Sequence, residues 1–121
     1  MSEGERNQVD FEASSKWKEL IEAVKDACSK LGGFKLYIDE NSPNEFIAKR
    51  VHDGIAVKRL RLEFDPLVPK VSWQCCNPNE TRGEISFRAF NGSVVYVVGA
   101  QVKILNEIVF VLTRCLTGEI A

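Results

Sequence analysis

The sequence predicts an α+β domain: a helix, a six-stranded antiparallel meander and a second helix, with both helices packed on one face of the sheet. Three observations carry this. Trp17, Leu20, Ile21, Val24, Cys28 and Leu31 recur at helical spacing. From Phe34 the apolar period changes to two, and Asp53-Gly54 and Asn91-Gly92 stand between alternating runs as two-residue hairpin turns. Helical spacing then returns in Ile104, Leu105, Ile108, Leu112, Cys115 and Leu116.

Residues 1–13 read as a polar N-terminal arm, and residues 14–121 as a single domain. The first helix is expected from Ser15 to Leu31, ended by Gly32-Gly33, which supply the left-handed conformation of a helix stop. Strands are expected at Phe34–Asp39, Glu45–His52, Ile55–Phe64, Lys70–Cys76, Glu84–Phe90 and Ser93–Val98. Asn41-Ser42-Pro43-Asn44 and Asp65-Pro66 are turn formers, Pro69 suits a strand start, and Asn77 to Gly83 reads as a polar loop. The last segment, Gln101–Thr117, is rich in β-branched residues, yet its apolar spacing predicts a helix with Gly118 as C-cap.

The turns assign faces. With Asp53-Gly54 at the turn centre, His52 pairs with Ile55, Val51 with Ala56 and Ile47 with Leu60. Continued without interruption, this register puts Ile47, Val51, Leu60, Leu62 and Phe64 inward and Phe46, Ala48, Arg50, Val57, Arg59 and Arg61 outward. Asn91-Gly92 pairs Phe87 with Tyr96 and Ala89 with Val94 inward, leaving Arg88, Phe90, Val95 and Val97 outward. Alternation places Leu36, Ile38, Val71, Trp73 and Cys75 inward and Tyr37 outward.

With 121 residues, 16 Lys+Arg against 17 Asp+Glu and a net charge of −1, the chain has no global field to attract nucleic acid or anionic lipid. The polar start shows no secretory signal, and no apolar run reaches membrane-span length, so no membrane partner is expected. The cysteines do not read as a disulfide framework. Cys28 and Cys115 fall on helix core stripes as buried thiols, Cys76 faces outward, and a reducing, cytoplasmic setting is expected.

Catalytic chemistry finds no support. His52 is the sole histidine and sits beside a turn, Cys75-Cys76 lack a second ligand pair for a metal, and no nucleophile elbow or phosphate loop is present. Glu63 and Asp65 share a face with Arg61 and read as a surface charge cluster. Asn79-Glu80-Thr81 and Asn91-Gly92-Ser93 match the glycosylation acceptor pattern by chance in turns. No cofactor or metal is expected.

The reading is therefore a non-enzymatic protein-interaction module or homo-oligomer. Its expected binding residues are Tyr37, Phe46, Arg50, Arg59, Arg61, Arg88 and Phe90, aromatics and arginines on the outer sheet face. The final helix, where Phe110 projects from a polar side, is a further contact surface. Single-stranded nucleic-acid binding through the same aromatics and arginines ranks second, and a small-ligand carrier third.

Overall fold

A computed structural model describes residues 3–31, 35–76 and 80–117. Helix α1 spans Glu3–Ser29, so the polar arm expected at residues 1–13 is helical from Glu3 onward. Glu, Arg and Gln are good helix formers, and a segment without its own apolar stripe can propagate from a packed helix. Ala13 is already buried, two residues before the expected start.

Seven strands follow, one more than expected. They are β1 (Lys35–Ser42), β2 (Glu45–His52), β3 (Ile55–Asp65), β4 (Lys70–Cys76), β5 (Glu80–Phe90), β6 (Ser93–Val98) and β7 (Gln101–Lys103). They form one antiparallel sheet in the order β1-β2-β3-β4-β5-β6-β7, with every neighbour also a sequence neighbour. Helix α2 spans only Leu105–Thr113. The first residues of the expected final helix are strand instead, because Gly99 takes φ +62° and turns the chain back on β6 through a two-residue loop. Strand β5 starts at Glu80 rather than Glu84, so the part of the expected polar loop from Glu80 to Gly83 pairs with β4. The expected features at Gly32-Gly33, Phe34, Asn77–Asn79 and Gly118 lie outside the described residues.

Asp53 (φ +53°) with Gly54 (φ +79°), and Asn91 (φ +48°) with Gly92 (φ +79°), hold positive φ at both central positions, as the tight hairpin turn requires. The second hairpin keeps the expected register, pairing Phe87 with Tyr96 and Ala89 with Val94. The first does so for two pairs only. A bulge follows Val51↔Ala56, so Arg50 pairs with Lys58, Ala48 with Leu60 and Phe46 with Leu62. One extra residue on β3 inverts β2 against the expected pairing. Phe46, Ala48 and Arg50 therefore face the helices, not the open side. Phe46 is 0% and Arg50 7% exposed. The driving force is visible in the side chains: full burial of a phenylalanine contributes about 1.5–3 kcal/mol, and Ile47 remains buried on the other face.

One hydrophobic cluster joins both helices to this inner face. Trp17 stacks on Phe64 with ring centroids 5.4 Å apart, and Phe64, Phe87 and Tyr96 continue an aromatic row across the sheet. The polar ends of the row are satisfied: Trp17 Nε1 donates to Pro43 O (2.8 Å) and Tyr96 Oη to Lys16 O (2.9 Å). From α2, Ile108 and Leu112 bury in the same cluster, as does Cys115 beyond its end.

Cys75 and Cys115 form a disulfide, with Cα atoms 5.8 Å apart, where a buried thiol was expected at Cys115. Alternation and helical spacing put both residues inside; that they meet depends on where α2 crosses β4. With this bond present, cysteine usage no longer argues for a reducing compartment. Cys28 and Cys76 are free, and burial raises the Cys28 thiol above its ordinary pKa. No helix among the described residues is long and apolar enough to cross a membrane.

Candidate functional site

The open face of the sheet carries the side chains that alternate with the core. Tyr37, Lys49 and Arg59 occupy one cross-strand row, and Arg61, Gln74 and Arg82 another. Glu63, Ser72 and Glu84 form the row beyond. The latter two rows surround a shallow hollow of about 490 Å³. Its cations are already engaged. Arg61 donates through Nε and Nη2 to Glu45 Oε2 (3.1 and 2.6 Å) and through Nη2 to Glu63 (3.0 Å). Those bonds, the one to Glu45 above all, hold its guanidinium more firmly protonated than usual. Gln74 and Arg82 both donate to Glu80, which lowers the Glu80 carboxyl pKa, and Lys70 pairs with Glu84 at 3.0 Å.

Of the seven expected binding residues, Tyr37, Arg59 and Arg61 come together on this face. Lys35 lies 5.3 Å from the centre of the Tyr37 ring, and Arg59 enters no ion pair among the described residues. Arg88 and Phe90 also face outward but belong elsewhere. Arg88 is six residues beyond Arg82 along β5, roughly 20 Å at the strand rise. Phe90, at the hairpin end, is exposed, as are Leu67 and Val68 in the β3–β4 loop, whose last residue Pro69 accepts a hydrogen bond from Phe87 N (3.3 Å). In the sequence, Pro66 and Pro69 mark only a strand stop and a strand start; the two large apolar residues between them are the sign of an exposed tip.

Phe46 and Arg50 leave the site altogether. The Arg50 guanidinium donates from Nη1 to Leu116 O (3.1 Å), and Lys58, also on the inner face, donates to Thr117 O (2.7 Å). Two cations thus meet carbonyls of the turn that follows α2, and tie that turn to the inner face of β2 and β3. Arg50 holds the fold.

The exposed apolar surface gathers instead around β7 and α2. Val102 is 53%, Ile104 62% and Val111 55% exposed, and Val98 is also open. On the outer face Val102 pairs with Val97. On the helix side, Val98, Ile108, Val111 and Leu112 line an apolar groove of about 120 Å³, with Lys103 and Glu107 (3.6 Å apart) at its rim. Phe110 is exposed a quarter-turn away, with the Arg114 guanidinium 5.8 Å from its ring centre. Phe110 lies on the helix side expected to be polar, but the rest of this surface departs from expectation, because Gln101–Lys103 is strand and not helix; Gly99 is the turn signal in the sequence.

Two other open hollows, of 370 and 440 Å³, lie beside the disulfide and beside Trp17 and Pro43. Among the described residues no group of three His, Cys, Asp or Glu side chains converges to hold a metal ion. Comparison of the chain with protein-family models, curated proteins and solved structures gives no match.

Proposed function

We propose that this chain is a non-enzymatic protein-interaction module whose contact surface is the apolar rim formed by β7 and α2. The observation that carries the reading is the contrast between the two edges of the sheet. Edge strands expose unpaired backbone groups, and charged side chains are the usual protection against unwanted pairing. Strand β1 also exposes Tyr37 and Ile38, but has that protection in Lys35, Asp39 and Glu40. Strand β7 carries Lys103 alone as a charge, tied to Glu107, and is flanked by Val98, Val102, Ile104 and Val111. An apolar, weakly charged rim of this kind is a recurring property of docking surfaces.

The outer face supports the reading less well. Its β3–β5 section is a lattice of satisfied ion pairs, an arrangement suited to water. The same pairing weakens the nucleic-acid alternative, since Arg61 and Arg82 must give up carboxylates before meeting phosphates. The groove under α2, at 120 Å³, is below the roughly 300–1,000 Å³ of small-molecule sites.

Binding of an apolar fluorescent dye at sub-micromolar protein tests the rim. The native chain is expected to bind the dye, and the double variant Ile104→Asp with Val111→Asp, which leaves Ile108 and Leu112 in place, is expected to lose it while keeping its circular dichroism. Dye fluorescence that the double variant does not change refutes the reading.

A further inference from the structure

We infer that the occupant of this rim is a second copy of the chain, joined edge to edge by antiparallel pairing of the two β7 strands about a two-fold axis at Val102. The inference rests on the reading of the β7–α2 rim as the docking surface. It begins with the backbone. The β6–β7 loop has two residues, Gly99 and Ala100, so the flanking pair Val98 and Gln101 is the hydrogen-bonded kind. Hydrogen-bonded and non-bonded pairs alternate, so Val102, opposite Val97, turns its N–H and C=O away from β6 toward the open edge.

A strand offering one outward residue between its ends is a poor template for an arbitrary extended peptide, whose affinity comes from main-chain bonds along many residues. It suits a partner that brings its own apolar flanks. A second copy does so by symmetry, because a two-fold interface sets each surface against itself. With the axis at Val102, Val102 meets Val102 and the two residues exchange both hydrogen bonds. Ala100 lies opposite Ile104, whose φ of −82° and ψ of 156° continue the extended chain. Gln101 lies opposite Lys103, so the lysines of the two copies are not placed face to face. An axis normal to the sheet keeps both α2 helices on one side, so each copy adds Val98 and Val111 to one seam and Val102 and Ile104 to the other. Strand β1, with its charges, stays at the outer ends.

The experiment is the mass of the full chain by light scattering or sedimentation, from low to high micromolar concentration. Twice the 13.6 kDa chain mass is expected for the native protein at the upper end. Val102→Lys and Val102→Glu each set like charges at the axis and are expected to weaken association by at least about tenfold. Mixing the two variants is expected to restore the doubled mass, since lysine then meets glutamate. A doubled mass that neither variant changes overturns the inference, because the dimer then forms elsewhere. A native chain that stays monomeric also overturns it. If dye binding is still lost in the Ile104→Asp, Val111→Asp variant, the rim stands and only the second copy falls; if the dye signal is unmoved, both fall.

Discussion

Replacing Gly83 by alanine probes the contact that seats Trp73 over β5. Gly83 pairs with Trp73 across β4 and β5, and an ideal Cβ on Gly83 would lie 2.6 Å from Trp73 Cε2 and Cζ2 and 2.7 Å from Nε1. Non-bonded carbons rest at about 3.5–4.0 Å, so ring and strand must part by roughly 1 Å. The obstacle is a rigid indole, not the end of a flexible chain. Trp73 does have room to tilt, since it lines hollows on both flanks of α2. Overpacking of this kind costs about 1–3 kcal/mol, and the stiffer unfolded chain returns about 0.4–1 kcal/mol. The expected net loss is about 1–2 kcal/mol, read from urea unfolding followed by circular dichroism, with tryptophan emission as a second probe. In a Trp73→Leu background, where the ring is gone, the same substitution is expected to be close to neutral, a coupling of about 1 kcal/mol or more. Gly54→Ala serves as the contrast: nothing lies within 4 Å, but φ is +79°, so its cost of about 1–2 kcal/mol is backbone strain and does not depend on residue 73. Equal losses for Gly83→Ala with and without the Trp73 ring would refute the packing argument.

Two further outcomes follow from the core. The Cys75–Cys115 bond spans 40 residues, so its reduction, or Cys115→Ser, is expected to lower stability by roughly 4 kcal/mol through the freed unfolded chain; identical melts for protein whose bond is intact and protein whose bond is reduced would contradict this. Burial, with Glu19 nearby, raises the Tyr96 phenol well above its ordinary 10.0. The folded state then holds this proton more tightly than the unfolded chain, so the stability is complete below pH 10.0 and is lost as the pH rises above it. Tyr96→Phe is expected to remove that alkaline slope while costing about 1 kcal/mol at neutral pH for the lost bond to Lys16 O. Parallel alkaline losses in the two proteins would count against Tyr96 as the source.

Much of the architecture is legible in local patterns. Helical spacing around Trp17–Cys28 identifies the packed part of α1, and β2, β4 and β6 begin and end where alternation and turn residues place them. Both glycine turns adopt the conformation their residues demand. These features are local: they depend on backbone preferences and on which residues avoid water. The N-terminal extension of α1 and the three-residue β7 were not legible, since a helix can propagate into a polar segment and a short β-branched strand resembles the start of an apolar helix.

The candidate surface was harder to read because it depends on register. Asp53-Gly54 dictates the pairs nearest the turn, His52↔Ile55 and Val51↔Ala56. One bulged residue later, every β2 side chain changes sides, and Arg50 passes from an expected binding surface to the carbonyl end of α2. Sequence alone thus determined the elements other than β7, their order and most of the inward residues, through periodicity and turn chemistry. Tertiary structure decided which face Phe46 and Arg50 join, that Cys75 meets Cys115, and that the exposed apolar rim lies at β7 and α2. The physical reason is that a strand's period of two makes each face assignment conditional on an unbroken count of residues. Only the packed core, by drawing Phe46 inward, sets where that count slips.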